Sequence, residues 1–552
     1  MEDDDQSTMA MAMGEEFAEP LINGEINPPT VTSSVFTVAE NYIAVTRPLS
    51  DGHGNNPVSH DPEEKGTSRW VWAEVREQCW LAGPIMGMYL LQYVMAIAGV
   101  VFIGHLGSFP LAAASLTNSF CGITGFTFLA GLASALETLC GQAYGAKQYH
   151  LLGIYLQRAV FILLVAAVPV GILWLNMASI LVALGEDPVI AHAAQSYVHW
   201  LLPVLVSYGM LFPLIKFFQT QRAVFQLMIC SAVTVVFHVP LCWLIIDKLQ
   251  VGLNGAAIAM NISMFFNLCL LFSFLRFSSR FEKTFISFSW EAFQDFGDFF
   301  RLAIPSAIMM CLEHWCYEIL TLVAGVLPNS QLVLASFSIC MGLLALSNMT
   351  SLALGVATSV RVSNELGAGK PHAARSVVAV SLVLGLVNGS IMASLIYSLR
   401  NVWGWGFTND AEVVQQVAHI VPYLSGLAII YAIQAILSGV VRGIGWQRAG
   451  AMANLGAYYG VGLPVALLLV FKFELDGRGL WLGMGCGLLT QTMALISVLM
   501  CTNWDKLAQE ALLRSLSFSA RLPTLAPPAL EKPLLADERS HGDLQRVSSA
   551  AA

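Results

Sequence analysis

Between residues 78 and 501 the chain is a succession of long apolar runs separated by short polar stretches. A helix that crosses a bilayer needs about 20 mostly apolar residues, and each of these runs is long enough to supply one. Charged residues make up only 11% of the chain, whereas an average soluble domain contains roughly 25%. The sequence therefore predicts an all-α polytopic membrane protein.

We place twelve predicted spans, numbered 1 to 12 in chain order. They cover residues 78–100, 112–137, 155–176, 193–214, 224–246, 255–277, 301–325, 333–357, 375–398, 413–437, 449–471 and 479–501.

The second half of the apolar region repeats the motifs of the first half in the same order and at a nearly constant offset. Its position Glu313 aligns with Gln92. Because each repeat contains six spans, an even number, both halves have the same orientation, and a pseudo-two-fold axis along the membrane normal relates them. Carriers built from such repeats place the solute path between the halves. The aligned segments are LAGPIMGMYLLQ (81–92) with LAIPSAIMMCLE (302–313), GQAYGAKQYH (141–150) with SNELGAGKPH (363–372), and HVPLCWLII (238–246) with GLPVALLLV (462–470).

The predicted domains follow this repeat. A six-helix N-lobe covers residues 69–277, and a six-helix C-lobe covers 301–501. The segment 278–300 is a cytoplasmic linker, in which SWEAFQDFGDFF predicts an interfacial helix because aromatic and acidic residues alternate along it. Residues 1–68, which are acidic, and 502–552 lack apolar periodicity, so we predict two disordered cytoplasmic tails.

The distribution of basic residues predicts the orientation. If both tails are cytoplasmic, ten lysines and arginines lie on the cytoplasmic side and four on the opposite side, as the positive-inside tendency requires. The net charge of −9 comes mostly from the N-terminal tail and argues against a nucleic-acid partner. The ten residues are Lys147, Arg222, Arg276, Arg280, Lys283, Arg361, Lys370, Arg375, Arg442 and Arg448, and the four are Lys248, Arg400, Lys472 and Arg478.

Predicted span 7 contains CLEHWCYEIL, which places Glu313, His314 and Glu318 within an apolar run. An ionised carboxylate at this depth costs on the order of 3 kcal/mol, so a chain retains one only where it faces protein or water. Burial disfavours the charged form, and such a group can therefore exchange a proton for a cationic or polar solute. The alternative is a hydrogen bond that joins two helices. We favour Glu313 as the coupling acid.

The first half has no equivalent acid. Between residues 81 and 280 the acids are Glu137, Glu186, Asp187 and Asp247, and we expect all of them near span ends or in loops. Glu313 and Glu318 are five residues apart, which on a helix separates them by about 140°. One carboxylate is therefore expected to line a cavity in the C-lobe, while the other bonds to a neighbouring helix or borders the central path.

Further polar and aromatic residues are candidates for the solute path. Tyr431, Gln434 and Ser438 in predicted span 10 follow i, i+3, i+7 spacing and form one polar stripe. Such stripes equally often join helices. Tyr317 and Tyr458 could stack on a planar cation, although core packing is the common role of buried aromatics. Gln92 completes the set as the neutral equivalent of Glu313.

Nothing in the sequence indicates a cofactor. The turns CGQAYGAKQ and NELGAGKPH match neither a Walker A nor a dinucleotide-binding motif, so an ATP-driven pump is disfavoured. The eleven cysteines have no zinc-ligand spacing. No pair of nucleophile and base emerges either, so an enzyme is the least favoured class.

Several motifs together resemble the multidrug and toxic compound extrusion (MATE) family, specifically its plant DETOXIFICATION branch. They are GHLG (104–107), ETLCGQAYGA (137–146), AIPSAIMMCLEHWCYE (303–318), RVSNELGAGKP (361–371) and SGVVRGIGWQRAGAMANLGAYY (438–459). The resemblance implies a twelve-helix, two-lobe antiporter that exports organic cations, secondary metabolites, organic acids or hormones against a proton gradient. It also implies that Glu313 is the protonation site and that Glu318 supports transport.

The sequence departs from the family pattern in span 10. Where the family usually has an aspartate, counting back from LSGVVRG reaches Tyr431. A facilitative or anion-carrying role therefore stays open. A third alternative is a signalling protein on a transporter scaffold that binds a partner through its long tails.

The expected partners are a small solute, protons and the lipid bilayer, and we expect a monomer. The tail segments EPLI (19–22) and EKPLL (531–535) resemble acidic dileucine sorting motifs, although their spacing is not ideal. They favour the vacuolar or another endomembrane over the plasma membrane.

Overall fold

A computed structural model of the chain describes residues 63–521. Within this range every regular element is a helix, which confirms the all-α prediction. Eleven of the described helices are long and apolar enough to cross a membrane, and a bent pair of helices completes a twelfth crossing. The predicted number of spans is therefore confirmed, and their numbering is kept below, with spans 1–6 forming the first half and spans 7–12 the second half.

The bounds of the spans are longer than the sequence predicted, because most helices extend beyond the apolar run. They are Glu63–His105 (span 1); Ser108–Cys121, the π-helix Gly122–Phe126, Thr127–Ala133 and Ala135–Gly145 (span 2); Tyr149–Leu175 (span 3); Pro188–Leu201 and Val204–Thr220 (span 4); Val224–Cys242 and the π-helix Trp243–Lys248 (span 5); Leu253–Phe277 (span 6); Phe296–Gly325 (span 7); Ser330–Gly367 (span 8); Pro371–Ser398 (span 9); Ala411–Ile444 (span 10); Gln447–Asn454, the π-helix Leu455–Gly462 and Leu463–Phe471 (span 11); and Asp476–Met500 (span 12).

Five shorter elements of the described range lie outside the spans. They are the α-helices Met177–Ala183 and Trp504–Arg521 and the 3-10 helices Ser279–Phe281, Trp290–Phe293 and Trp403–Gly406.

Local sequence accounts for several helix ends. The Asp410 carboxylate accepts a hydrogen bond from the Glu412 amide at 2.9 Å and so caps the start of span 10. At the other end of this span Gly445 adopts a left-handed conformation with φ of 91°, which glycine accommodates without strain. Span 4 bends by 56° where Pro203 separates its two helices.

Large apolar side chains cover the outside of the bundle. On span 9, for example, Val383, Val387, Ile391 and Leu395 recur every four residues and are each at least half exposed. This spacing places them on one face of the helix. An exposed apolar face of this length is compatible with hydrocarbon rather than water, in keeping with a helix that spans a bilayer.

The two halves meet where equivalent residues face each other. A Cβ atom built on Gly145 would lie 2.0 Å from the Asn364 carbonyl oxygen, and one built on Gly367 would lie 2.0 Å from the Gln142 carbonyl oxygen. Gln142 and Asn364 are equivalent under the repeat, as are Gly145 and Gly367. Reciprocal contacts between equivalent residues arise where a two-fold axis passes between them. Only glycine allows this backbone contact.

The predicted interfacial helix in the linker is wrong. The structure has a single 3-10 turn at Trp290–Phe293, and span 7 already begins at Phe296. Asp295 interrupts the helix with a left-handed backbone, φ 51°. Carbonyl oxygens of the linker accept hydrogen bonds from span 3. The Arg158 guanidinium donates to the carbonyl oxygens of Ala292 and Glu291 at 3.1 and 3.2 Å.

The prediction of a disordered tail from residue 502 is wrong for its first part. Residues Trp504–Arg521 form a helix whose Leu507, Ala508 and Ala511 are buried against apolar residues of spans 8, 9 and 10. The helix also crosses to the first half, since Arg514 Nη1 donates to Gln142 Oε1 at 2.9 Å. The segment is polar on average, but these three residues lie on one face of the helix and give it an apolar surface that packs against the bundle. The remaining tail residues lie outside the described residues.

Candidate functional site

Span 7 presents Glu313 towards a group of tyrosines. The Tyr317 hydroxyl donates a hydrogen bond to Glu313 Oε1 at 3.3 Å. The two residues are one helical turn apart and therefore share a face of the span. Both side chains are half-buried, so this face of the helix is neither closed into the core nor fully exposed.

Tyr458 and Tyr431 complete the group, which we call the tyrosine cluster (Tyr317, Tyr431 and Tyr458). The rings of Tyr317 and Tyr458 meet edge to face with centroids 6.3 Å apart. Tyr431, from span 10, packs against the same apolar core and lies close enough to Glu313 to interact with its charge. Three spans of the second half therefore bring these four predicted site residues together.

A chain of buried amides holds the tyrosine cluster in place. The Tyr458 hydroxyl donates to Gln491 Oε1 at 2.8 Å, and Gln491 Nε2 donates to Asn454 Oδ1 at 2.6 Å. Asn454 Nδ2 in turn donates to the Met309 carbonyl oxygen at 2.8 Å. Met309 lies one turn before Glu313, so spans 11 and 12 anchor span 7 next to the carboxylate.

Sequence reasoning missed Asn454 and Gln491. The available signal was an amide within an apolar run, since such groups are retained only where they find a partner. A π-helical segment, Leu455–Gly462, follows Asn454 and contains Tyr458 and Tyr459. Tyr458 bonds to span 12, while the Tyr459 hydroxyl donates to the Leu312 carbonyl oxygen of span 7 at 3.2 Å. π-Helical segments are frequent at functional sites.

Glu318 does not join the tyrosine cluster. It is half-buried on another face of span 7 and interacts electrostatically with His314. His314 itself is exposed, and its Nδ1 lies 3.1 Å from the Met310 carbonyl oxygen. This arrangement agrees with the angular separation expected from the five-residue step between the two glutamates.

Gln434 and Ser438 are buried, with 2% and 4% of their surfaces exposed. Gln434 Nε2 donates to Ser438 Oγ at 3.0 Å, within span 10. Tyr431, one turn away from Gln434, is accessible where these two are not. The structure therefore separates the predicted polar stripe into one accessible residue and a satisfied buried pair.

Gln92 lies on span 1 of the first half and is half-buried. Two tyrosines that sequence reasoning missed flank it. Tyr89 lies close enough to Tyr431 for their hydroxyl groups to interact electrostatically, and the Tyr93 hydroxyl lies 4.0 Å from the position that a Cβ on Gly342 of span 8 would occupy. The hydroxyl groups of these two tyrosines of span 1, on either side of Gln92, therefore lie near spans 8 and 10 of the second half.

Glu137 forms ion pairs that join the two halves. Its Oε1 lies 2.5 Å from Lys216 Nζ in the first half, and its Oε2 lies 3.0 Å from Arg442 Nε in the second half. Only 1% of Glu137 is exposed. The sequence predicted a residue near a span end without a partner, because the two cations are 79 and 305 residues away along the chain.

A second buried ion pair also joins the halves. Arg361 donates to both oxygens of Glu74, from Nε at 3.0 Å and from Nη2 at 2.6 Å. Its Nη1 lies 2.9 Å from Glu365. Arg361 and Arg442, which counted among the loop charges in the sequence analysis, are therefore buried in helices. The ion pairs lie at the same end of the bundle as the Gly145–Gly367 contact, and this end is closed.

Two features limit what the site can do chemically. Among the ion pairs formed by residues 63–521, none includes Glu313, whereas Glu137 is neutralised by two cations. Glu313 therefore differs from Glu137 in that its hydrogen-bond partner among the described residues is a neutral tyrosine. Within the described range, no group of three or more His, Cys, Asp or Glu side chains is arranged to hold a metal ion.

Comparison with known proteins gives the family. The MatE family model matches residues 84–244 and again residues 305–468, so the two matches begin at Pro84 and Pro305, which are equivalent in the internal repeat. Two Arabidopsis thaliana proteins, DETOXIFICATION 17 and DETOXIFICATION 16, are each 45% identical to this chain. The alignments cover 81% of this chain and 94% and 92% of those proteins.

The fold matches as well. The crystal structure of the eukaryotic MATE transporter AtDTX14 superimposes with a TM-score of 0.78 at 39% sequence identity, and it covers 81% of this chain and 99% of that one. A mutant of the Vibrio cholerae MATE transporter VcmN gives a TM-score of 0.72 at 17% identity, covering 79% of this chain and 99% of that one, and supports the fold alone. The chain belongs to the MatE family of membrane transporters.

Proposed function

We propose that this transporter exports or sequesters small organic solutes by antiport with protons, and that Glu313 carries the proton. The observation that supports this most directly is the setting of the carboxylate. Glu313 is half-buried in span 7, accepts a hydrogen bond from a neutral tyrosine and forms no ion pair with a cation of the described residues. A carboxylate held by neutral donors changes its charge when it binds a proton, whereas one neutralised by cations does so far less readily.

The tyrosine cluster explains how a proton and a solute could compete. With Glu313 ionised, the half-buried rings of Tyr317 and Tyr431 border a negative charge, which suits an organic cation or a polar aromatic solute. Tyr458 is fully buried and packs against Tyr317. Protonation removes that charge and frees the carboxyl group to donate a hydrogen bond. Because coupling between two ligands is reciprocal, a solute that prefers the ionised site also promotes loss of the proton.

The closed end of the bundle defines the state of the transporter. With both tails in the cytoplasm, the end closed by the Glu137–Arg442 and Glu74–Arg361 pairs faces the cytoplasm. The described conformation is then closed towards the cytoplasm. Transport requires the halves to rock apart at the cytoplasmic end, and both ion pairs must break in each cycle.

The function is tested by solute uptake into vesicles driven by an imposed pH gradient. We expect Glu313→Gln to reduce gradient-driven uptake by about tenfold or more, because the amide cannot take up the proton. Glu186→Gln, which makes the same change at an exposed loop position, should leave uptake unchanged. Uptake in Glu313→Gln that still depends on the pH gradient would rule out Glu313 as the proton site.

A second candidate function is a carrier that moves organic or inorganic anions without a proton gradient. The observation that favours it is Tyr431, a neutral residue at the position next to Glu313 where the sequence comparison expects an acid. Fewer acids make the site less negative. Voltage-clamp currents carried by anions at equal pH on both sides would favour this carrier, and their absence together with gradient-driven uptake would favour antiport.

We further propose a monomer in the vacuolar or another endomembrane, with both tails in the cytoplasm. The sorting motifs EPLI and EKPLL support the location, although they lie outside the described residues. Imaging of a fluorescently tagged full-length chain tests it, with alanine replacing both leucines of EKPLL. Redistribution of this variant to the plasma membrane is the expected result, and an unchanged distribution would assign no sorting role to that motif.

A further inference from the structure

Among the pockets at the end of the bundle that bears most of the basic residues, two combine several arginines with exposed apolar side chains, one in each half. Pocket A has a volume of about 600 Å³ and is lined by Ala73, Arg76, Glu77, Trp80, Tyr144, Arg222 and Arg280. Pocket B has a volume of about 660 Å³ and is lined by Gly297, Phe300, Arg301, Ile304, Pro305 and Arg448.

The two pockets occupy related positions in the internal repeat, although their arginines do not align with each other. The offset that aligns Pro84 with Pro305 also aligns Arg76 and Trp80 of pocket A with Gly297 and Arg301 of pocket B. Likewise, the offset that aligns Gly255 with Gly479 places Arg448 opposite Val224, the first residue of span 5. Pocket A therefore lies beside span 1 and the turn that leads into span 5, and pocket B lies beside the corresponding spans 7 and 11.

Both pockets carry excess positive charge. The lining of pocket A has three arginines and one glutamate, and that of pocket B has two arginines and no acid. In pocket A the arginines are held together, since Arg280 Nη2 donates to the carbonyl oxygens of Gln221 and Arg222 at 2.9 and 3.3 Å. Arg222 Nη1 binds Glu77 at 2.7 Å, while its Nε is buried without a partner among the described residues. Guanidinium groups kept close together attract an anion with several oxygens.

Apolar side chains border each pocket on its outward side. In pocket A, Trp80 is 43% exposed and its ring packs against that of Phe225 at 5.2 Å. In pocket B, Phe300 and Ile304 are 38% and 49% exposed, and Ile308 continues this face one turn further into the span. An occupant must therefore place an anionic group against the arginines and an apolar part against the outer surface of the bundle.

We propose that pockets A and B each bind the headgroup of an anionic phospholipid, whose phosphate contacts the arginines and whose acyl chains lie along the outward faces of spans 1 and 5 or 7 and 11. Basic pockets between membrane helices are suited to such headgroups because phosphate takes bidentate hydrogen bonds from arginine. The site is separate from the tyrosine cluster, and the proposal does not depend on which solute is transported.

The test is native mass spectrometry of the full-length protein in detergent, titrated with a phosphatidylinositol phosphate. We expect one tightly bound lipid per pocket. Arg76→Gln with Arg280→Gln should weaken binding at pocket A by about tenfold or more, and Arg301→Gln with Arg448→Gln should do the same at pocket B. The first pair leaves the Arg222–Glu77 ion pair intact. Elution of each variant at the position of the unmodified protein in size exclusion confirms folding.

Matched controls separate the pockets from general surface charge. Lys283→Gln with Lys506→Gln removes two exposed charges outside both pockets and should leave lipid affinity unchanged. Phosphatidylcholine should bind at least about tenfold more weakly than the anionic lipid. Equal losses in the control pair would overturn the proposal. So would competition by inorganic phosphate at the same concentration as the lipid, because the ligand would then be the soluble anion.

Discussion

At the scale of single residues, the buried Glu137 and the half-buried Glu313 have different partners. Glu137 is bonded to Lys216 and Arg442, so its charge is compensated. Glu313 is bonded to Tyr317, a neutral donor. A compensated acid stabilises one arrangement of the helices, whereas an uncompensated acid can change its charge during a transport cycle. This difference is the basis of the separate roles that we propose for the two acids, gating for Glu137 and proton coupling for Glu313.

The amide chain behind the tyrosine cluster leads to a prediction on stability. Asn454→Ala removes the donor to the Met309 carbonyl oxygen and the acceptor of Gln491 Nε2. A buried polar group that loses its partner costs about 1–3 kcal/mol, so we expect a lower unfolding temperature in detergent. Tyr459→Phe removes one longer bond at a half-buried site and should cost less. Equal effects of the two substitutions would contradict the importance of the buried chain.

Tyr431 gives a prediction on proton coupling, which rests on the proposed antiport. Tyr431→Asp places a second carboxylate near Glu313, and two acids that interact with each other titrate as a pair. We expect the uptake of solute to depend more steeply on pH than in the unmodified protein, measured as the slope of uptake against pH in vesicles. Tyr431→Asn introduces a polar group of the same size as the aspartate without the charge. A steeper slope in both variants would exclude the carboxylate as the cause.

At the scale of helices, span 2 and span 8 approach each other more closely than side chains permit. Gly145 and Gly367 face carbonyl oxygens of the opposite span. The helix Trp504–Arg521 supports the same end of the bundle by packing on spans 8, 9 and 10. Together these elements close that end by backbone contact and apolar burial in addition to the ion pairs.

The glycine contact predicts a large effect from a single methyl group. Gly145→Ala places a Cβ 2.0 Å from the Asn364 carbonyl oxygen, so the two spans must move apart. We expect a loss of about 1–3 kcal/mol in stability, seen as a lower unfolding temperature, together with reduced transport. Gly83→Ala makes the same change in span 1, where nothing lies within 4 Å of the added atom. An unchanged unfolding temperature in Gly145→Ala would show that the spans are not in contact.

At the scale of the whole molecule, the halves are related by the repeat but are joined asymmetrically. Glu137 of the first half binds Arg442 of the second, and Glu74 binds Arg361. The offset that aligns Gly145 with Gly367 places Ser359 opposite Glu137, so the second half has no matching acid. The halves thus share a pseudo-symmetric scaffold, while the ion pairs that join them come from residues that differ between the halves.

Glu137→Gln should shift the molecule away from this closed state. The substitution leaves Lys216 and Arg442 without their shared anion, and breaking a buried ion pair costs about 3–5 kcal/mol. We expect a longer distance across the end of the bundle, measured by electron paramagnetic resonance between spin labels at Lys147→Cys and Lys370→Cys. The exposed cysteines Cys79, Cys269 and Cys501 are first replaced by serine.

Glu77→Gln is the control for this measurement. Its carboxylate pairs with Arg222 within the first half, and both side chains are about one-third exposed. Such pairs contribute about 0–1 kcal/mol, so the distance distribution should match that of the unmodified protein. A longer distance in Glu77→Gln as well would attribute the opening to a general loss of charge.

The number of spans, the duplication and the place of Glu313 within an apolar helix could be predicted from the sequence alone. Each of these depends on residues close together along the chain, because an apolar run is long enough to span a bilayer whatever surrounds it. The position of Tyr317 one turn from Glu313 is local in the same sense. The number of spans and the duplication were predicted correctly from hydropathy and spacing.

The partners of the buried polar groups could not be predicted from the sequence and are known only from the tertiary structure. Glu137 reaches Arg442 across 305 residues, and Asn454 reaches Met309 across 145. Hydropathy also assigned Arg361 to a loop and residues 504–521 to a disordered tail, although both are packed in helices. A polar residue in an apolar helix needs a partner, but the packing of separate helices chooses that partner. The pattern along one helix contains no information on which neighbour will face it.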